Sequence, residues 1–210
     1  VYNGKPVTFG YSEQIQSFAG IFSDWYADTA LQFDPVKFNA DEIVSLAKAA
    51  GMRSIVITTK HHDGFCMFNT ATTEYNSVNA TPSKRDYVKE LSDACRRGGI
   101  NFAMYYSLID WNFPHAYPIS SHNCDFITPQ HHEFSKAQIT ELLTNYGPVS
   151  ELWFDMGSNQ PEQSKELYEL VHKLQTDCMG SGRLGSGWSD FAVVADNEYP
   201  EGQLQAPWQS

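Results

Sequence analysis

Lys60, His61, His62 and Asp63 follow without a break on the apolar run Ile55-Val56-Ile57-Thr58-Thr59. An ammonium, two imidazoles and a carboxylate thus stand at the end of a β-branched stretch that does not alternate, the pattern of a strand covered on both faces. Such strands build parallel sheets, whose ligands gather at the C-terminal strand ends. Neutral imidazoles placed there can donate to and accept from hydroxyl groups. A second strand end, Leu152-Trp153-Phe154-Asp155, offers a lone carboxylate after bulky apolar residues, which makes Asp155 the first candidate for a nucleophile. An isolated Asp can equally cap the turn that follows it. A carboxylate nucleophile needs a second carboxyl group to protonate the leaving oxygen, and Asp196, Glu198 and Glu201 are available in a later loop. Trp25, Trp111 and Trp153 offer flat apolar faces on which a sugar ring can stack, although a single Trp is more often core. A metal centre is not expected: adjacent His side chains on extended backbone point apart, no HxH or HxxxH occurs, and His131-His132 falls at the start of an expected helix, where it would be solvated. No cofactor is expected.

The elements that must position these residues alternate. A short strand is expected at Phe9-Gly10 and another around Ile21, with Ser23 to Tyr26 as an aromatic loop. Asn39 followed by Glu42 reads as a capping box, with Ile43, Leu46, Ala47 and Ala50 on the inward face of a helix that Gly51 stops. Strand 53–59 comes next. Asp86 opens a second helix carrying Val88, Leu91 and Cys95 inward, ended by Gly98-Gly99 before strand 100–106 and the candidate pair Tyr105-Tyr106. Thr128-Pro129 caps a third helix with Phe134, Ala137 and Leu142, broken at Gly147-Pro148 before strand 150–154. A fourth helix spans 161–178, and a short strand is expected around Arg183. Strict alternation implies a parallel sheet, either doubly wound or a (β/α)8 barrel, and polar and aromatic residues at four successive strand ends favour the TIM-type barrel. A full barrel typically takes about 250 residues, so residues 1–210 are expected to form an incomplete one.

A net charge of −11 and the lack of a basic, aromatic-interleaved patch argue against a nucleic-acid partner. No apolar run approaches the roughly 20 residues of a membrane span, and VYNGKPVTFG lacks the pattern of a signal peptide. Cys66, Cys95, Cys124 and Cys178 form no CxxC pair and are expected to be buried thiols.

KHHDGF at 60–65, TEY at 73–75, KRD at 84–86, YYSLIDW at 105–111 and LWFDMG at 152–157 occur in an order and spacing that resemble glycoside hydrolase family 29, the α-L-fucosidases. The resemblance runs from about Phe33 to Trp208. It implies a (β/α)8-like catalytic domain followed by a β-sandwich, with 1–210 covering the catalytic domain and lacking its later strands and the sandwich. It also implies retaining hydrolysis of terminal α-L-fucosides through a fucosyl-Asp intermediate, without a metal. Carried over residue by residue, His61 and His62 resemble the family's fucose-hydroxyl contacts, Tyr105 a pocket wall, Trp153 a sugar-facing aromatic, Asp155 the nucleophile and Arg183 the pocket arginine. Trp25 resembles the family's Glu-Trp pair with Asp24 in place of Glu. The acid/base is expected in the segment after Arg183 and Asp190-Phe191, with Glu198 ahead of Asp196. The family's His-Trp-Gly segment has no counterpart near Phe9-Gly10. A non-catalytic fucose-binding barrel and an α-galactosidase-like activity are the alternatives. The partners implied are fucosylated oligosaccharides or glycoconjugates, with a homo-oligomer left open and a periplasmic or secreted location expected ahead of a cytoplasmic one.

Overall fold

The computed structural model describes residues 1–8, 10–115, 126–156, 159–194, 196, 199–200, 202–203, 205 and 207–209. Six helices and six strands are named in chain order: α1 Ile15–Phe18, α2 Ser23–Ala27, α3 Ala40–Ala49, β1 Ser54–Lys60, α4 Tyr87–Gly98, β2 Asn101–Ser107, α5 Pro129–Asn145, β3 Glu151–Asp155, α6 Pro161–Leu174, β4 Met179–Gly180, β5 Ala192–Val193 and β6 Trp208–Gln209. The longer helices begin where side chains satisfy free backbone N–H groups. The Asn39 side chain accepts from Glu42, Asp86 from Lys89, and Thr128 from His131. At α6 the Gln163 side chain accepts from the Gln160 N–H, with Pro161 in the first turn. Gly99, at φ 65°, takes the left-handed conformation that ends α4.

β1, β2, β3 and β4 form one parallel sheet in sequence order. Right-handed crossovers between sequential parallel strands bring the helices to one face. Along β2 and β3 the side chains alternate. Phe102, Met104, Tyr106, Leu152 and Phe154 join Val88, Leu91, Ile139, Leu142, Leu167 and Val171 in the core. The other face carries Ala103, Tyr105 and Ser107 beside Glu151, Trp153 and Asp155, with Tyr105 and Trp153 in register between Thr58 and the next strand. The candidate site grows from this second face.

Several expectations are corrected. β1 is not covered on both sides: Ile55 and Ile57 pack on the core, but Val56 is 49% exposed, because no described element lies over that part of the second face. The segment around Ile21 holds no strand. α1 ends there, and Ser23 to Tyr26 belong to α2, held down by Ser23 Oγ, which donates to Trp111 O at 2.6 Å and accepts from the buried Gln16 Nε2 at 3.1 Å. Phe9 lies outside the described residues. In α3 the buried face is Ala40, Val44 and Ala47, while Ile43 and Leu46 point to solvent. α6 stops at Leu174 rather than Cys178, since Gln175 turns its side chain to donate to Leu143 O and Gly147 O and to accept from Val149 N. Arg183 sits in a 3₁₀ turn, Gly182–Leu184, after the strand at Met179–Gly180. His131 and His132 are buried, not solvated: His131 packs on Phe113 and Phe134, and His132 Nε2 lies 3.0 Å from Glu166 Oε2. Cys66, Cys95 and Cys178 are buried free thiols, and Cys124 lies outside the described residues.

Lys60 is fully buried, its Nζ 3.3 Å from Asp110 Oδ2 and from Ile109 O and 4.6 Å from the centre of the Tyr106 ring. Asp110 Oδ1 also accepts from Asn112 N and Phe113 N. The pair clamps the turn after β1 to the loop after β2. A Cβ on Gly64 (φ 84°) would meet Asp110 Oδ1 at 2.3 Å, so the two loops touch backbone to carboxylate. Removing one partner of a buried pair strands the other charge. Lys60→Met is therefore expected to lower unfolding free energy by about 3 kcal/mol in urea titration.

Candidate active site

Asp155 ends β3 with its carboxylate saturated by donors. Tyr105 OH donates to Oδ2 at 2.6 Å, and Arg183 Nη1 and the Met156 N–H donate to Oδ1, each at 2.9 Å. Met156 adopts φ 62°, a left-handed conformation unusual for a side chain of its size and a mark of local strain beside the carboxylate. Burial pushes the Asp155 carboxyl up, but the hydrogen bonds from Tyr105 and Arg183 and the guanidinium charge outweigh it, and the net shift is below the usual carboxylate value. Asp155 is ionised at neutral pH. Burial, then the Asp155 charge, pushes the Tyr105 phenol up, so it keeps the proton it donates.

The aromatic wall follows from strand register. Tyr105 and Trp153 are paired across β2 and β3, so their rings lie side by side, with centroids 5.6 Å apart and planes at 16°. His61 continues the stack, 5.6 Å from Tyr105 at 11°, and the Arg183 guanidinium carbon lies 4.9 Å from the Trp153 ring centre. Val56, His61, Tyr105, Trp153, Asp155, Arg183, Asp196 and Gln209 line a pocket of about 350 Å³. Two larger grooves, each about 670 Å³, lie at the start of α3 and beside the start of β2, and neither contains any of these residues. The smaller cavity is the candidate site because it joins the ionised carboxylate, the guanidinium and the aromatic wall.

Lys60, His61, His62 and Asp63 separate in space. Lys60 enters the core, and Asp63 turns back to accept from Phe65 N at 3.2 Å, its carboxyl pushed up to about 6 by burial. His62 is buried, with Nδ1 2.7 Å from Ser107 Oγ, and its ring meets His61 at 3.8 Å and the edge of Trp111 at 5.5 Å. Burial, with the neighbouring His61 and Lys60 charges, lowers His62 to about 3, and burial also lowers His61. Both rings are neutral at pH 7. A His lowered in the folded state stabilises it fully above its unfolded value near 6.5 and loses that contribution as pH falls towards 3. The His62 contribution is on the order of 4 kcal/mol across that window. Asp63, raised towards 6, acts with opposite sign and smaller size between about 4 and 6. Stability is therefore expected to fall from pH 6.5 to 4, and the fall to be shallower in His62→Gln, as measured by denaturant midpoints against pH.

The other candidates separate too. Asp196 is exposed and pairs with Arg183 Nη2, so one guanidinium holds Asp155 on one nitrogen and Asp196 on the other. Glu198 and Glu201 lie outside the described residues. Trp25 is 63% exposed, edge-on to Phe22 at 5.2 Å, and does not line the pocket. Sequence reasoning missed Val56, Ser107 and Gln209. Period-two alternation along Val56-Thr58, Ala103-Tyr105-Ser107 and Glu151-Trp153-Asp155 could have placed the first two near the site, but nothing in the sequence marks Gln209.

Parallel strands whose C-terminal ends bring an aspartate, an arginine and a stack of aromatic rings around one cavity define an α/β protein with its candidate active site at the strand ends. The chain belongs to the α-L-fucosidase family, whose model matches residues 10–210. It is 34% identical over 152 residues to α-L-fucosidase 1 of Arabidopsis thaliana, covering 68% of this chain and 28% of that protein. The crystal structure of an α-L-fucosidase from Vibrio sp. strain EJY3 is similar over 99% of this chain and 39% of that one, at 34% identity and a TM-score of 0.86. A family 29 α-L-fucosidase from Bacteroides thetaiotaomicron, trapped as a covalent intermediate, is similar over 95% of this chain and 50% of that one, at 28% identity and a TM-score of 0.85. The chain spans less than half the length of the curated relatives it matches.

Proposed function

We propose that the protein hydrolyses terminal α-L-fucosides with retention of configuration. The observation that carries this reading is the ionised Asp155 carboxylate in the pocket, bracketed by Tyr105 and Arg183. In the first step Asp155 attacks the anomeric carbon from the face opposite the leaving oxygen, which takes a proton from a second carboxyl group. In the second step that group takes a proton from water, which attacks the same carbon and releases fucose and Asp155. The trapped intermediate of the Bacteroides relative supports a covalent route. Asp196 is the proposed acid/base, because it lines the pocket and shares Arg183 with Asp155. A retaining pair needs about 5 to 5.5 Å between its carboxyl groups, a span compatible with two acids on one guanidinium. For Asp196 to reach a leaving oxygen, its contact with Arg183 must open.

Neutral His61 and His62 and the Arg183 guanidinium hold sugar hydroxyls, and the 6-methyl group of fucose lies on the aromatic wall of Tyr105 and Trp153. Sequential strand order, helices on one face and an exposed Val56 on the other support a (β/α)8 barrel of which this sheet is part, and residues 1–210 as part of one catalytic domain. Fucosylated oligosaccharides and glycoconjugates are the substrates this reading implies. Parallel assays with an aryl α-L-fucoside and an aryl α-D-galactoside test it: turnover of the fucoside alone is expected. Turnover of the galactoside alone, or fucose binding by calorimetry without turnover of either, would overturn it.

A further inference from the structure

Glu151 is a buried carboxyl that the mechanism above does not use. It lies two residues before Trp153 on the face of β3 that carries the site, and its Oε1 has no hydrogen-bond partner. Its Oε2 accepts from Gln209 Nε2 at 3.0 Å, and Gln209 Oε1 accepts from Trp153 Nε1 at 2.9 Å. Chemistry fixes the direction of this chain from one end to the other. An indole N–H can only donate, so the Gln209 carbonyl must face Trp153, the amide nitrogen must face Glu151, and Glu151 must accept. Trp153 in turn stands between the Tyr105 ring and the Arg183 guanidinium, the two side chains that donate to Asp155. Pinning the one polar atom of a flat ring sets the rotation of its faces.

We infer that Gln209, anchored on Glu151, is a positioning residue that locks the Trp153 indole in the stack between Tyr105 and Arg183 and so sets the affinity of the pocket for its sugar. The effect on sugar rests on the fucosidase reading, whereas the locking of the ring does not. Gln209→Ala leaves the indole N–H without its acceptor. Gln209→Glu keeps an acceptor for Trp153 but turns a second carboxylate towards Glu151. The double variant Glu151→Gln with Gln209→Glu reverses the polarity of the outer bond: the new amide at 151 donates to the new carboxylate at 209, which still accepts from Trp153.

The test measures KM and kcat on an aryl α-L-fucoside together with hydrogen exchange at the Trp153 indole N–H, assigned with Trp153→Phe in proton–nitrogen correlation spectra. Gln209→Ala and Gln209→Glu are expected to raise KM about tenfold with kcat changed less than about twofold, and to lose indole protection. The double variant is expected to recover KM and protection to within about twofold of the parent. A Gln209→Ala variant with parental KM and protection, or a double variant as impaired as Gln209→Glu, would overturn the proposal. If the parent neither turns over nor binds fucose, the fucosidase reading fails, and indole protection across the three variants still decides whether Gln209 locks Trp153.

Discussion

Replacing Asp155 with asparagine is expected to cut turnover of an aryl α-L-fucoside about ten-thousand-fold or more, the order seen when a covalent nucleophile is removed. The change keeps nearly the same volume, but the new amide cannot ionise and cannot form the glycosyl ester. Its NH₂ group would also face a donor, either the Tyr105 hydroxyl or Arg183, so local repacking is expected along with the chemical loss. Asp155→Gly vacates the space instead. Azide should then attack the sugar from the vacated face and restore part of the rate, with β-L-fucosyl azide as the product. Near-parental activity in Asp155→Asn would remove this residue from the nucleophile role.

The second large effect is expected at Asp196. A general acid matters most when the leaving group is poor, because an activated phenolate departs without a proton. Asp196→Ala should therefore lose about a hundred- to ten-thousand-fold on a fucosyl-saccharide and far less on a dinitrophenyl fucoside. Azide should intercept the covalent intermediate in this variant and give α-L-fucosyl azide, the opposite anomer from the Asp155→Gly product. Glu198→Ala is the comparison, since sequence reasoning ranked Glu198 first. An equal loss on all leaving groups in Asp196→Ala, with the leaving-group dependence appearing in Glu198→Ala instead, would move the acid/base to Glu198.

The alternation of helix and strand was readable because its signals are local. Asn39, Asp86 and Thr128 cap the helices that their side chains announce, and the apolar runs before Lys60 and Asp155 form parallel strands of one sheet, with β2 between them. Faces were harder. Ile43 and Leu46 lie near the helical spacing of Ala47 but point to solvent, since residue type does not say which stripe of α3 meets α4. Lys60 stood in the same tetrad as His61 and His62, but a register shift between Thr58 and Lys60 breaks the alternation and sends it to Asp110. Asp155 was legible as a carboxylate at a strand end. Its partners were not readable from spacing, because Tyr105 and Arg183 reach it across 50 and 28 residues. The choice among Asp196, Glu198 and Glu201 has no local signal either. The contact between Asp196 and Arg183 is a tertiary one across 13 residues, which no local pattern announces. Gln209 arrives at Trp153 from 56 residues away and carries no motif that would have marked it.

The most direct measurement is mass spectrometry of the protein after incubation with 2-deoxy-2-fluoro-α-L-fucosyl fluoride. Fluorine at C2 slows both steps by destabilising positive charge at the anomeric centre, and the fluoride leaving group keeps the first step fast enough for the ester to accumulate. One fluorofucosyl group per chain is expected, recovered after digestion on the peptide that contains Asp155 and absent from Asp155→Asn. A stoichiometric adduct on a peptide without Asp155, or no adduct on a parent protein that turns over aryl fucosides, would contradict this expectation.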